Sequence, residues 1–138
     1  MDMPSTSGKV ALRNSQDVAN CRQTVGRVAQ HVGFEVLEQT MLVTAASELA
    51  RNAVVYGRGG ELTWEVLSVG RNIGIRLTFT DHGPGIADLD VAMTADWSSG
   101  TGLGLGLTGS KRLMHEFSIE SAPGEGTRVS IVRWRRMF

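Results

Sequence analysis

Two polar side chains, Glu48 and Asn52, stand four residues apart in a largely apolar segment of the chain. This spacing places both on one side of a helix, beside Met41, Ala45 and Val55. A carboxylate and an amide at the edge of an apolar stripe need partners that offset the cost of their burial. One interpretation is a boundary pair that caps nearby backbone groups. The other is a site in which the Asn52 carbonyl is a ligand for Mg²⁺ and Glu48 is a base.

A second candidate site is the segment Asp81-His-Gly-Pro-Gly85, which directly follows a predicted strand. Gly83 and Gly85 let the chain turn and let a planar ligand approach the backbone. An ionised Asp81 only accepts hydrogen bonds, which suits the amino group of adenine and disfavours the carbonyl edge of guanine. An ordinary Asp-X-Gly turn has the same sequence, so this motif alone is a weak signal.

Glycine is the third feature, with 17 residues among 138, about 12% against an average near 7%. Its densest run spans residues 100–109. Residues 104–109 match G-x-G-x-x-G, but the strand that a dinucleotide fold requires before this motif is missing, and no Walker A loop can be built from the run. A glycine-rich run that leads into a helix remains a general arrangement for binding phosphate. Lys111 could add a charge there, although a solvated surface lysine is the simpler interpretation.

The elements that must position these residues are predicted in the order β-α-α-β-β-α-β-β. Apolar periodicity and capping residues indicate helices over 14–33, 35–55 and 108–116, and strands over 9–13, 61–69, 73–80, 117–121 and 127–134. This order predicts an α+β fold, a two-layer α/β sandwich with the helices on one face of a mostly antiparallel sheet. The length predicts a single domain over residues 8–138, after a disordered tail at residues 1–7.

Composition excludes several classes of protein. Fourteen basic residues balance fourteen acidic ones, which argues against binding nucleic acid through bulk charge. Cys21 has no partner for an internal disulfide, and no Cys/His cluster has zinc spacing. The absence of a long apolar run and of a signal peptide predicts a cytoplasmic protein without a membrane segment. Residues 127–138 hold four arginines and no acid. A solvated edge or a protein-docking patch explains them better than contact with nucleic acid.

Taken together and in this order, the three motifs resemble the N, G1 and G2 boxes of the GHKL ATP-binding (Bergerat) fold. The resemblance implies that Glu48 is the catalytic base, that Asn52 is the Mg²⁺ ligand and that Asp81 holds the adenine amino group. The turn at residues 124–127 is similar to the late Gly-x-Gly-Thr element of the family, which places Thr127 near the adenine. The implied nucleotide-binding residues are Asn52, Asp81, Gly83, Gly85, Ile86, Gly100, Thr101, Gly102, Leu103, Gly104, Leu105, Gly106 and Thr127.

The length of the chain indicates which group within this family it resembles. The chain lacks room for the phosphoacceptor hairpin of a histidine kinase or the transducer domain of a gyrase-type enzyme, and only residues 86–99 separate the second motif from the third. Segments 47–52, 56–57 and 106–117 are especially similar to kinases of the RsbT type, within a likeness that extends from about residue 9 to residue 134. His82 and Thr108 depart from the usual residues of that group, Asn or Gln at the first position and Pro at the second.

This resemblance implies an ATP- and Mg²⁺-dependent serine/threonine protein kinase of a bacterial partner-switching module. Its substrate would be a STAS-domain antagonist, and the free kinase would bind and activate a PP2C-type phosphatase. The alternative is an anti-sigma factor of the RsbW type, which sequesters a sigma factor and holds ATP as a ligand.

Overall fold

The helices α1 (Ser15–Val32) and α2 (Val36–Val55) form one layer of the fold. In the computed structural model, which describes residues 6–85 and 109–135, α1 begins where the Asn14 side chain accepts a hydrogen bond of 3.1 Å from the Asp17 backbone. It ends at Gly33, whose φ of 97° is the left-handed conformation that glycine tolerates. The cap predicted at Asn14 and the stop predicted at Gly33 are both confirmed.

The second layer is a five-stranded sheet in the order β1-β2-β3-β5-β4, in which every pair of neighbours is antiparallel. Its strands are β1 (Ser7–Leu12), β2 (Gly60–Val69), β3 (Asn72–Asp81), β4 (Glu116–Ser121) and β5 (Thr127–Trp134). The register pairs Asp81, the last residue of β3, with Gly60 on one side and Thr127 on the other. The sheet itself therefore brings Asp81 and Thr127 together from positions 46 residues apart.

The core lies between the two layers. From the helices it takes small and branched side chains such as Val25, Leu42, Ala46 and Leu49, and from the sheet Leu12, Leu62, Ile75, Leu77 and Ile131, all at most 2% exposed. Along β3 the buried residues alternate with half-buried ones from Ile75 to Phe79, as expected of strands that are covered on one face. The predicted two-layer α/β sandwich is confirmed.

Two predicted boundaries are wrong. The predicted helix over 108–116 is helical over 109–113 in the described residues, because Glu116 already belongs to β4 and the His115 backbone donates to the Val132 carbonyl. Strand β1 begins at Ser7, which pairs with Glu65, rather than at residue 9. Residues 1–5 of the predicted tail lie outside the described residues.

Within residues 6–85 and 109–135, the helices are too short or too polar to cross a bilayer. Cys21 is fully buried, and burial raises the pKa of its thiol to about 12. The interpretation of Cys21 as a core residue rather than a nucleophile is therefore confirmed.

Candidate nucleotide-binding site

A pocket opens between the C-terminal half of α2 and the adjoining ends of β3 and β5. Four of the residues that line it were predicted from the motifs, namely Asn52, Asp81, Gly85 and Thr127. The other lining residues are Leu49, Ala53, Tyr56, Gly57, Phe79 and Val129. The first two motifs and the late Gly-x-Gly-Thr element, which are far apart in the sequence, therefore meet at one place.

Asp81 is fixed by the backbone around it. Its Oδ1 accepts hydrogen bonds from the N–H groups of Gly83 at 3.0 Å and Thr127 at 3.1 Å. Its Oδ2 accepts none from the described part of the chain and lies beside Gly57, whose lack of a Cβ makes room for the carboxyl group. Burial raises the pKa of Asp81, and the two backbone hydrogen bonds oppose that rise. The result is a half-buried, oriented carboxyl group with one oxygen left to accept.

The loop after Asp81 is held close to two other segments. A Cβ on Gly83 would lie 2.7 Å from the Gly57 Cα, and a Cβ on Gly85 would overlap the Ala122 carbonyl. Gly85 also has a φ of 78°, in the left-handed region that L side chains rarely adopt. Larger residues at either position would push the loop away from the pocket. The glycines of this motif are thus explained by the close approach of other backbone segments. The approach of a planar ligand to this loop stays a prediction.

Asn52 is the buried polar residue of the pocket, 8% exposed on the inner face of α2. Its Nδ2 is buried and has no hydrogen-bond partner among the described residues. An unpaired buried amide is costly, by roughly 1–3 kcal/mol. This orphaned group and the free Oδ2 of Asp81 fit a polar ligand that completes the site.

Of the Asn52 side chain, only the carbonyl oxygen, and not the unpaired Nδ2, can be a ligand for Mg²⁺. Among residues 6–85 and 109–135, no three His, Cys, Asp or Glu side chains gather as a protein cage for a metal. Mg²⁺ is commonly bound by one or two protein oxygens together with substrate phosphates and waters. Asn52, with one amide oxygen, suits that mode.

Glu48 stands one helical turn before Asn52, about 6 Å away along the axis. It is half-buried and is not among the residues that line the pocket. The apolar face around the pair is buried only in part, because Ala45 is buried but Val55 is 56% exposed. The role of Glu48 as a base remains a prediction.

Gly83 lies behind the pocket rather than on its wall, as its packing against Gly57 indicates. The remaining predicted nucleotide-binding residues lie outside the described residues: Ile86, Gly100, Thr101, Gly102, Leu103, Gly104, Leu105 and Gly106.

The six other residues that line the pocket were not predicted as site residues from the sequence. The periodicity of the helix and strands could have indicated several of them. Phe79 and Val129 lie two residues from Asp81 and Thr127 on their strands, and so face the same side of the sheet. Ala53 lies four residues after Leu49 on one face of α2. Gly57 had no such signal, because its closeness to Asp81 depends on the path of the chain after α2.

The comparisons with known proteins agree with this geometry. A family model described as histidine kinase-, DNA gyrase B-, and HSP90-like ATPase matches residues 38–136, a range that includes every lining residue of the pocket. The chain belongs to this ATPase family. The family resemblance predicted from the three motifs is therefore confirmed.

The individual relatives include a serine/threonine-protein kinase and anti-sigma F factors. The chain is 39% identical over 127 residues to the serine/threonine-protein kinase RsbT of Bacillus subtilis (strain 168), which covers 92% of this chain and 96% of that protein. It is 29% identical over 129 residues to an anti-sigma F factor of Thermoanaerobacter sp. (strain X514), with 89% of each chain covered. The anti-sigma F factor of Anoxybacillus flavithermus (strain DSM 21510 / WK1) is 29% identical over 126 residues, which cover 86% of this chain and 85% of that protein. Among these three relatives, identity is higher to the kinase, as the motif segments indicated.

Proposed function

We propose that the chain is an ATP-dependent serine/threonine protein kinase that switches between protein partners. The observation that carries this proposal is the meeting of Asn52, Asp81 and Thr127 in one pocket of a member of this ATPase family. The kinase RsbT as a relative over nearly the whole length of both chains supports the reaction type.

The adenine would bind against the apolar wall formed by Leu49, Phe79 and Val129, with its amino group donating to Asp81 Oδ2. Both hydrogen bonds to Asp81 Oδ1 come from the backbone, so the carboxyl group is oriented before the nucleotide arrives. Such preorganisation reduces the ordering cost of binding. Guanine would present a carbonyl oxygen to the same acceptor and bind less well.

The phosphates would lie against the glycine run at residues 100–106, whose backbone N–H groups suit anionic oxygens. Asn52 would hold Mg²⁺ through its side-chain carbonyl. The metal held there would supply positive charge that offsets the negative charge of the phosphates.

Glu48 would accept the proton of a serine or threonine hydroxyl on the partner. As the hydroxyl oxygen forms its bond to the γ-phosphorus, the bond from that phosphorus to the bridging oxygen breaks and ADP leaves. The position of Glu48 one turn before Asn52 on the same helix supports this assignment.

The partner would be a STAS-domain antagonist. Phosphorylation adds nearly two negative charges to the partner at the contact with the kinase, which favours release. The freed kinase would then bind and activate a PP2C-type phosphatase.

The test is phosphoryl transfer from radiolabelled Mg-ATP to purified STAS-domain proteins of the source organism. The wild-type protein is expected to produce phosphoserine or phosphothreonine. Glu48→Gln should abolish the label, whereas Glu35→Gln, an exposed glutamate before the other end of the same helix, should leave it unchanged. Transfer that persists in Glu48→Gln would remove Glu48 from the role of base, and no transfer by the wild type would overturn the proposed reaction.

The second candidate function is that of an anti-sigma factor. It is favoured by the likeness to anti-sigma F factors over 89% of the chain. On this alternative a sigma factor binds the chain tightly when ATP is present, and copurification of the two proteins separates it from the switch kinase.

A further inference from the structure

Gly57, the second residue after α2, contacts both segments that carry the predicted ligand residues of the pocket. Its backbone N–H donates to the Asn52 carbonyl at 3.0 Å, which ties it to the last turn of α2. On its other side it packs against Gly83, where a Cβ would lie 2.7 Å from the Gly57 Cα. Gly57 is buried at this junction. The position of residue 57 is therefore set by α2 and by the loop after Asp81 together.

The Asp81 carboxyl group occupies the space that a side chain at residue 57 would need. A Cβ on Gly57 would lie 2.5 Å from Asp81 Oδ2 and 2.6 Å from Asp81 Cβ, and the three atoms nearest to it all belong to Asp81. Non-bonded heavy atoms are at their optimal separation at about 3.5–4.0 Å. The carboxyl group can therefore hold its observed position only because residue 57 has no side chain.

The backbone conformation at residue 57 does not require glycine. Gly57 has no positive φ, unlike Gly59 and Gly85, whose φ values are 96° and 78°. An alanine at residue 57 could thus adopt the same backbone conformation, but its methyl group would meet Asp81. Closeness to Asp81 is the constraint that a side chain here would violate.

We propose that Gly57 is a positioning residue that keeps Asp81 Oδ2 open to the base of the nucleotide and thereby sets the preference of the pocket for adenine. This inference rests on the proposed function, in which the adenine amino group donates to that oxygen. Oδ1 is held by the N–H groups of Gly83 and Thr127, so a methyl group at residue 57 would displace Oδ2 or turn the whole carboxyl group. Either movement takes the acceptor away from its place in the pocket.

The experiment compares the dissociation constants of Mg-ATP and of the Mg²⁺ complex of inosine triphosphate, measured by titration calorimetry of the purified chain. Inosine triphosphate has the same ribose and phosphates but a carbonyl oxygen in place of the adenine amino group. The ratio of the two constants therefore reports the contact with Asp81 Oδ2. Gly57→Ala adds the methyl group. Gly26→Ala in α1 is the matched control, because a Cβ there would lie 3.6 Å from Val43, an ordinary contact.

The wild type and Gly26→Ala are expected to bind ATP at least about tenfold more tightly than inosine triphosphate, the effect of one hydrogen bond to a charged group. In Gly57→Ala the two constants should agree within about twofold, chiefly through weaker binding of ATP. A Gly57→Ala variant with the wild-type ratio would overturn the positioning role, even if both affinities fall. A wild type that binds both nucleotides equally would also overturn it, whereas one that binds neither would contradict the proposed function.

A double variant decides the case in which Gly57→Ala fails to fold. Asp81→Gly removes the three atoms that the methyl group would meet. The urea midpoint of Gly57→Ala/Asp81→Gly is therefore expected to equal that of Asp81→Gly, while Gly57→Ala alone should unfold at lower urea than the wild type. If the methyl group destabilises the Asp81→Gly protein as much as it destabilises the wild type, it conflicts with other parts of the chain, and the proposal is wrong.

Discussion

At the scale of single residues, the two carboxyl oxygens of Asp81 differ in their hydrogen bonds. Oδ1 is occupied by the backbone of Gly83 and Thr127, while Oδ2 stays open. Burial raises the pKa of this group, so the fold disfavours its ionised form. A carboxyl group whose ionised form is disfavoured by burial in a pocket is expected more often at a binding site than at a purely structural position.

Asp81→Asn should therefore separate stability from binding. The amide oxygen can still accept from the two backbone N–H groups, but its Nδ2 would then meet the adenine amino group as a second donor. The affinity for Mg-ATP, measured by titration calorimetry, is expected to fall at least about tenfold, the loss of one charge-assisted hydrogen bond.

The pH dependence of stability follows from the sign of the shift. Because the pKa of Asp81 is raised in the fold, its favourable contribution is present below the usual value of 3.8 and is lost as pH rises through the folded value. The free energy of urea unfolding of the wild type, relative to that of Asp81→Asn, should thus decrease from pH 3 to neutral pH. A variant that becomes relatively less stable as pH rises would contradict this account of Asp81, as would one that binds ATP as tightly as the wild type.

At the scale of elements, the start of α1 shows the opposite electrostatic arrangement. Asp17 lies in the first turn, and its Oδ2 accepts from the Arg13 backbone at 2.8 Å and from the Arg13 side chain at 3.2 Å. These bonds, the backbone one first, hold the pKa of Asp17 below its usual value of 3.8. The ionised carboxylate also lies near the positive end of the helix dipole. This turn joins β1 to α1.

Asp17→Asn should destabilise the protein near neutral pH but not in acid. Because the folded pKa is lowered, the contribution of Asp17 is present above 3.8 and is lost as pH falls through the folded value. Urea unfolding from pH 7 to pH 2.5 is expected to show a gap between wild type and variant that closes in acid. Glu65→Gln, which breaks an exposed ion pair with Arg76, is the control and should cost less than about 1 kcal/mol. A gap that is constant with pH would mean that the carboxylate charge contributes nothing.

The elements could largely be predicted from the sequence because their signals are local. The Asn14 cap, the Gly33 stop and the turn between β4 and β5 are decided by neighbouring residues. The end of the 109–113 helix could not be predicted, because Glu116 is drawn into β4 by pairing with Val132, sixteen residues away. In the same way, Asn52 and Asp81 could be predicted as site residues from their residue types. Gly57 could not, because it lines the pocket only through the packing of its segment against Asp81.

At the scale of the whole molecule, the sheet order explains why the motifs meet. Strand β5 inserts between β3 and β4, and this places Thr127 beside Asp81 at the end of the sheet that faces the C-terminal half of α2. At the opposite end of the sheet, Arg133 of β5 forms an ion pair with Glu38 of α2. The helical layer and the antiparallel sheet thus enclose a pocket at one end and a largely buried ion pair at the other.

The central claim is that the pocket lined by Asn52, Asp81, Gly85 and Thr127 receives an adenine nucleotide. Its most direct test is a titration of ¹⁵N-labelled protein with Mg-ATP, followed by proton–nitrogen correlation NMR. The Asn52 side-chain amide and the backbone amides of Gly83, Gly85 and Thr127 should shift together as one saturable event, while the exposed side-chain amide of Asn20 stays in place. If these signals do not move at millimolar Mg-ATP, or if the shifts cluster elsewhere, the account is contradicted.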